Sequence, residues 1–522
     1  MTVPAAISSA GPPGAVPQHA APAEGAAPLR SSGLVARNML ALVFSQFVTT
    51  PVSMVVNAVL ARSLGAADFG IIYFANTSLL VAFLFVEFGG PHFLAGEVAR
   101  SRSKAAELFG AAAVQRLAVA AAILLLIPRA SAILGYDGRV ETVLLLCAAR
   151  MAIGSIGSLC SAVFRGFEKF GWHARTAVFG NVLEAVLLVP TLLLGGRLQA
   201  ALVAQLVAAS ITTVVQVALL LQLGIGRPQF RPRSIVGLLH SGLGFLLLDG
   251  VLRLQPYIDA NFLSKLARPE AMGWYSAAYR PVGVLLFPAT TLAFALYPTI
   301  ARLWSEDRAS YAALVRLALR ALATVGIFAA SGTVLFAPLV IDILYGSERF
   351  APAAGTLRIL AAYVLLVYAS IVLGSAIVAA GRQFRYAFAQ SFCLVVSLVL
   401  DPILVPYFER TLGNGSLGVS VSVVVAEVAM VAAGAAMLPS GVIDRSLLAT
   451  VGRALAAALG MAAAGFALRA LPYLAFPISI AAYAAVLWAL GGLDPEILEL
   501  LRDVFRRKLA SPGPAAEPAT RG

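Results

Sequence analysis

The sequence predicts an all-α integral membrane protein of about 14 transmembrane helices. They form two pseudo-repeated six-helix lobes around a central cavity, with a C-terminal helix pair outside the repeat. Three observations carry this. Of 522 residues, 60% are hydrophobic and 12% charged, with mean hydropathy +0.89, against roughly 25% charged in a soluble domain. Apolar runs of about 20 residues, the length a helix needs to cross the hydrocarbon core, recur along the whole chain. A segment at the end of the first run returns, altered, 203 residues later.

Residues 1–37 are rich in Ala, Pro, Gly and Ser, have no apolar core of signal-peptide length, and read as a disordered cytoplasmic tail. The N-lobe, residues 38–223, holds spans 38–60, 70–90, 107–128, 140–163, 174–194 and 198–223. The C-lobe, 236–438, holds 236–262, 271–297, 312–338, 355–380, 384–407 and 416–438. Residues 450–490 supply spans 450–469 and 472–490, and 491–522 form a second cytoplasmic tail. An even count puts both ends on one side. Lys and Arg accumulate in cytoplasmic loops; alternate loops, counted from the N-terminal tail, hold 24 of the 38 basic residues and the opposite loops 10. Both termini are therefore expected to be cytoplasmic.

The repeat aligns Leu60–Gly70 (LARSLGAADFG) with Leu263–Gly273 (LSKLARPEAMG), and each returning helix reaches the inner side at an Ala-Arg pair, Ala99-Arg100 and Ala301-Arg302. Repeated lobes in a membrane protein frame a central pathway that opens alternately to the two sides.

Several function classes are excluded at this level. Cys147, Cys160 and Cys393 lie in apolar runs without paired spacing, which removes a disulfide framework or Cys-based zinc site. The chain lacks a phosphate-binding Gly-x-x-x-x-Gly-Lys-Ser/Thr loop, a zinc-binding His-Glu-x-x-His and a nucleophile elbow in a strand-turn-helix setting. No enzymatic activity, cofactor or metal site is expected. The net charge of +13 sets topology rather than binding nucleic acid.

The stretch Asn57–Gly70 (NAVLARSLGAADFG) resembles the first helix and loop of the bacterial oligosaccharide flippases, the Wzx-like polysaccharide transporters. So do Met272–Arg280 (MGWYSAAYR), Phe294–Arg302 (FALYPTIAR), and the set Tyr345-Gly, Ala379–Arg382, Val405-Pro406 and Gly415–Gly418. The resemblance implies the multidrug/oligosaccharidyl-lipid/polysaccharide superfamily fold. It implies translocation of a polyprenyl-diphosphate-linked glycan across the bacterial cytoplasmic (inner) membrane, with helices one, two, seven and eight facing the cavity. Lipid II flippases are a related branch and carry a functional arginine where Arg280 falls; their other cavity arginines find no clear match here. The expected partners are the lipid-linked glycan, membrane lipids, the glycan polymerase and other assembly proteins, around a monomeric transporter without nucleic acid.

A charge at mid-membrane costs roughly 2.5–3.5 kcal/mol on insertion scales, so each needs a partner, a wet cavity or a function. Arg116, Arg150, Glu184, Asp249, Arg253, Arg280 and Glu427 fall near mid-depth. Arg253 and Arg280 either hold the diphosphate, which the guanidinium fork suits, or staple helices seven and eight together with Asp249. Arg116, Arg150 and Glu184 are expected to form an ion pair within the N-lobe. Asn57, Asn76, Gln46 and Gln255 either bind sugar hydroxyls or join helices. Sodium or proton coupling would fall to Asp249, Asp401 and Glu427, because lipid II flippases place a sodium site among helices seven, eleven and twelve. His92, His173 and His240, and the aromatics Trp172, Trp274, Tyr275 and Trp304, read as interfacial residues. The cluster Arg502–Lys508 either lies on the anionic inner leaflet or is a solvated tail.

The competing functions are a lipid II flippase and an ion-coupled multidrug exporter of the same superfamily, for which an acidic cavity is expected. Reporter fusions test the topology. Fusions after Gly195 and Gly413 are expected to read as outer, and after Gly226 and Ser440 as cytoplasmic; the opposite pattern at two sites would overturn the span assignment.

Overall fold

In a computed structural model, the structure describes residues 29–88, 90–225, 254–439 and 441–492, and every regular element among them is helical. The first group comprises α1 (Leu29–Leu64), α2 (Ala66–Glu87), α3 (Gly90–Arg100), α4 (Ala105–Leu134), α5 (Gly138–Gly166), α6 (Phe170–Leu193) and α7 (Leu198–Gln222). The second comprises α8 (254–266), α9 (Pro269–Leu285), α10 (Phe287–Glu306), α11 (Arg308–Tyr345), α12 (Ser347–Phe350), α13 (Ala353–Ala379), α14 (Gln383–Leu412) and α15 (Gly415–Met437). The pair α16 (Arg445–Ala467) and α17 (Pro472–Ala489) packs on α11 through Ala457, Met461 and Tyr483.

Among the described residues, 12 helices are long and apolar enough to cross a membrane, and the bent pair α9–α10 makes a thirteenth. The start of the seventh expected span lies outside the described residues, as do Asp249, Arg253, His240 and Arg502–Lys508. Large apolar side chains such as Leu125, Leu194, Phe294 and Phe384 point outward, as lipid-facing positions should, while the helical ladder satisfies the backbone internally.

One span, the eighth, is broken, and the second ends in a sharp turn. The second stops at Phe88, whose left-handed φ of 42° is unusual for a side chain of that size. The Gly-Gly-Pro run that follows explains the stop, because Pro91 cannot donate into a continuing helix. The eighth span, expected to be one helix over 271–297, bends by 40° between Leu285 and Phe287 and runs on to Glu306. Pro288 removes the hydrogen bond that would carry the helix across.

The two groups of helices meet along α2 and α9. A Cβ added to Gly70 would lie 2.7 Å from the Gly273 nitrogen and 2.9 Å from the Pro269 carbonyl oxygen; one added to Gly273 would overlap the Ala66 carbonyl. The 203-residue offset relates Gly70 to Gly273 and Ala66 to Pro269, so each glycine rests on the residue four before the other. This is a self-complementary, pseudo-two-fold contact, made possible by small residues that let two backbones approach closely.

The same offset relates Arg62 to Lys265, and both clasp a helix end of the other group. The Arg62 Nε donates to the Leu344 carbonyl (3.0 Å) and its Nη2 to Ile343 (2.5 Å), at the C-terminus of α11. Lys265 donates to the carbonyl of Leu134, the last residue of α4, and its Nζ stands 3.6 Å from the centroid of the Tyr136 ring. A cation at a helix C-terminus satisfies orphan carbonyls and complements the helix dipole.

Two expected interfacial aromatics are buried instead. Tyr275 is 1% exposed and packs edge-on against Tyr73 at 5.9 Å, and the Trp274 indole donates to the Arg349 carbonyl (2.9 Å). Tyr275 thus faces α2 of the neighbouring lobe, while Trp274 is buried against α12 of its own.

Gly273→Ala is expected to destabilise the closed junction by about 1–3 kcal/mol, the usual cost of overpacking. The native cysteines are buried, so a cysteine at Ala66 gives a clean reporter. Its labelling by a hydrophilic maleimide should rise in the Gly273→Ala background, and unchanged labelling would show that the crossing does not seal this end.

Candidate functional site

Below the crossing lies a cavity of about 380 Å3. Its walls come from three pairs of repeat-equivalent positions: Tyr73 with Ser276, Asn76 with Tyr279, and Thr77 with Arg280. Tyr73 and Thr77 stand three and seven residues beyond Gly70, as Ser276 and Arg280 do beyond Gly273, so the helix face that carries each glycine also carries the cavity wall. Arg150 and Met151 of α5 complete the N-lobe side. With a rise of 1.5 Å per residue, Arg280 sits about 16 Å into its span, near mid-membrane.

The cavity is basic. The Arg150 Nη2 donates to the Asn76 Oδ1 (2.6 Å), and the Asn76 amide nitrogen is held by the Ile72 carbonyl (2.9 Å), which fixes the carboxamide's orientation. The Arg280 guanidinium carbon lies 5.2 Å from the Phe69 ring centroid. The Nε atoms of both arginines are buried and have no hydrogen-bond partner, and among the described residues no Asp or Glu lines the space. Two guanidinium groups, one from each lobe, therefore face one cavity with donors unused. A planar fork with free donors is suited to phosphate oxygens.

The expected ion pair among Arg116, Arg150 and Glu184 does not form. Arg116, 1% exposed, donates to the Ser155 carbonyl (2.5 Å) and the Ser158 hydroxyl (2.6 Å). Glu184 accepts from Gln205 (2.8 Å), and Arg150 turns to Asn76. Each of the three bonds a neutral partner on an adjacent helix. Asn57 donates to the Ser53 carbonyl of its own helix (2.7 Å), while Ser53 bonds Asn181 (2.7 Å).

A second cavity of about 290 Å3 lies inside the C-lobe, between α8, α9, α13, α14 and α15. Gln255 lines this space rather than the central one, with its amide 3.5 Å from the Ser397 hydroxyl. Glu427 lines it too, beside the Ser370 hydroxyl. Asp259 also faces it, 2% exposed, with one oxygen near the Tyr275 hydroxyl (3.4 Å) and the other without a partner. Behind it Asp401, fully buried, faces Asp259 and Ser422, and neither of its oxygens closes a well-formed hydrogen bond. Two carboxylates in one buried site cannot both hold charge without a proton or cation between them.

Asp259 was not among the expected acidic residues. It lies within the seventh span, where any carboxylate merits attention, but close to its outer edge, where it reads as solvated. Only the packing of α14 and α15 around it shows that it is buried.

Residues 35–304 match the family described as polysaccharide biosynthesis protein. The chain belongs to this family. No curated protein matches the sequence. Among solved structures, the polysaccharide biosynthesis chain is similar to a lipid II flippase MurJ in an inward closed conformation, at 13% identity and a TM-score of 0.66, over 90% of this chain and 99% of the other. It is also similar to an inward-facing multidrug resistance MATE family transporter of the MOP superfamily, at 16% identity and a TM-score of 0.58, over 76% and 97%. A Vibrio cholerae MATE transporter gives 16% identity and a TM-score of 0.53, over 80% and 100%. At these identities the likeness shows the fold, which is that of a multi-pass membrane transporter.

The two N-lobe arginines should separate on substitution. Arg116→Ala is expected to lower stability by about 2–5 kcal/mol, as truncation of a large core side chain does, whereas Arg150→Ala, opening onto the cavity, should stay within about 1 kcal/mol. Thermal melts of the purified protein in detergent read both, and equal losses would remove the distinction.

Proposed function

We propose that this polysaccharide-biosynthesis transporter is a flippase that moves a polyprenyl-diphosphate-linked oligosaccharide from the inner to the outer leaflet of the bacterial cytoplasmic membrane, both termini being cytoplasmic. The carrying observation is the pair Arg150 and Arg280, drawn from opposite lobes, with unused donors at a cavity that no carboxylate among the described residues lines. A doubly charged diphosphate fits such a site. An organic cation, the cargo of a multidrug exporter, does not.

Alternating access follows from the junction. The clasp of Arg62 and Lys265 and the glycine crossing close the end that the loop charges assign to the outside. Rocking the lobes about the cavity would open that end and carry the diphosphate with its glycan across. The energy source we assign is a cation, sodium or a proton, taken up at Asp259 and Asp401 with Glu427 nearby. The support is their burial and unsatisfied oxygens. Deleting the gene and identifying the lipid-linked sugar that accumulates on the inner leaflet names the cargo.

Hydrogen bonds to charged groups contribute about 1.5–3 kcal/mol each, so loss of a bidentate pair should slow transport about 10²–10⁴-fold. Arg280→Ala is expected to do this in proteoliposomes per folded molecule, with Arg280→Lys retaining part of the rate because a point charge remains. Normal turnover by Arg280→Ala would sink the diphosphate assignment. In the same assay Asp259→Asn and Asp401→Asn should remove dependence on sodium or pH, and retention of that dependence in both would refute coupling at this site.

A further inference from the structure

One side chain lines both cavities. Tyr279 contributes to the basic space between the lobes and to the acidic space inside the C-lobe, and it immediately precedes Arg280 on α9. Its ring is held on two sides: it stacks on Tyr275 at 5.7 Å with planes 24° apart, and it stands 6.4 Å from Tyr363. Tyr275 in turn bonds Asp259 and packs against Tyr73 across the lobe boundary. The aromatic row thus runs from the buried carboxylates to the wall beside the arginines.

We propose that the ring of Tyr279 is the partition between the two cavities, and that it links the charge state of Asp259 to anion binding at Arg150 and Arg280. The proposal rests on the diphosphate reading above. A diphosphate in the central cavity and ionised carboxylates in the C-lobe cavity are like charges on either side of one phenol ring. Neutralising Asp259, by a cation or proton, removes repulsion and favours the anion. Across a low-dielectric wall such a term is felt strongly; if water joins the two spaces, it is screened. Tyr279 is therefore a positioning residue that need not touch cargo to act. By reciprocity, the anion favours cation uptake by the same factor, which is the condition for coupled transport.

The test is a double-mutant cycle on the full chain in lipid nanodiscs, with inorganic pyrophosphate as the probe at fixed pH and ionic strength. Asp259→Asn stands for the neutral carboxyl. In the wild-type background it should tighten pyrophosphate binding about fivefold or more, the lower end of usual site-to-site coupling. With Tyr279→Ala the same change should have less than about a twofold effect, the range of independent sites. Tyr279→Phe keeps the wall and should keep the full shift. Should Tyr279→Ala not fold, Tyr279→Val opens the wall with less loss of packing.

The outcomes separate the two readings. Pyrophosphate that fails to bind, or binds undiminished in Arg280→Ala and Arg150→Ala, defeats the diphosphate site itself. Pyrophosphate that binds through those arginines, yet shifts equally with Asp259→Asn in the wild-type and Tyr279→Ala backgrounds, overturns the partition alone. So does the absence of any shift in the wild-type background, or a loss of linkage in Tyr279→Phe as large as in Tyr279→Ala.

Discussion

The rest of the structure depends on the backbone-to-backbone crossing of α2 and α9. A glycine on each helix lets the other approach to a distance that any Cβ would forbid, and the contact is its own image under the internal repeat. Because the crossing sets the rotation of both helices, it also sets what lies one and two turns below. Tyr73, Asn76 and Thr77 meet Ser276, Tyr279 and Arg280 across one space. The positions are equivalent under the repeat and their chemistry is not: a carboxamide corresponds to a phenol, and a hydroxyl to a guanidinium.

Close packing of small residues is short-ranged, so the crossing alone would tolerate sliding. The cation clasps limit it. Arg62 and Lys265 each reach a helix C-terminus on the opposite lobe, where unpaired carbonyls and the negative end of the dipole converge. Tyr136 adds a hydrogen bond to Ser264 at 3.0 Å on the Lys265 side. These contacts are polar and partly exposed, and their strength is modest and adjustable. Adjustable contacts at the rim and rigid packing at the centre are the combination that the proposed alternating access requires.

Charge is sorted between the two cavities. Among the described residues, the central one has arginines from both lobes and no acid, while the C-lobe one gathers Asp259 and Glu427 with Asp401 behind. Opposite charges placed in one cavity would pair and silence each other. Kept apart by a protein wall, each set retains its appetite for a ligand, and buried charge that is left unsatisfied is costly unless a ligand answers it.

What was legible in the sequence followed from local rules. Apolar run length shows the spans, and the Leu60–Gly70 and Leu263–Gly273 repeat the two-lobe plan, because each is written in neighbouring residues. Family resemblance pointed to Arg280. Tertiary structure alone decided which mid-membrane charges share a cavity. Arg116 and Arg150 look alike in sequence, yet one is walled in by α5 and the other opens between the lobes. Gln255 and Asn76, similar in chemistry, line different cavities. Asp259 reads as interfacial until α14 and α15 close around it, and the bend at Leu286 needs packing against α13 to be held. The physical reason is common to all four: helix periodicity gives a residue its depth and its face, but what that face meets depends on the helices brought against it from distant parts of the chain.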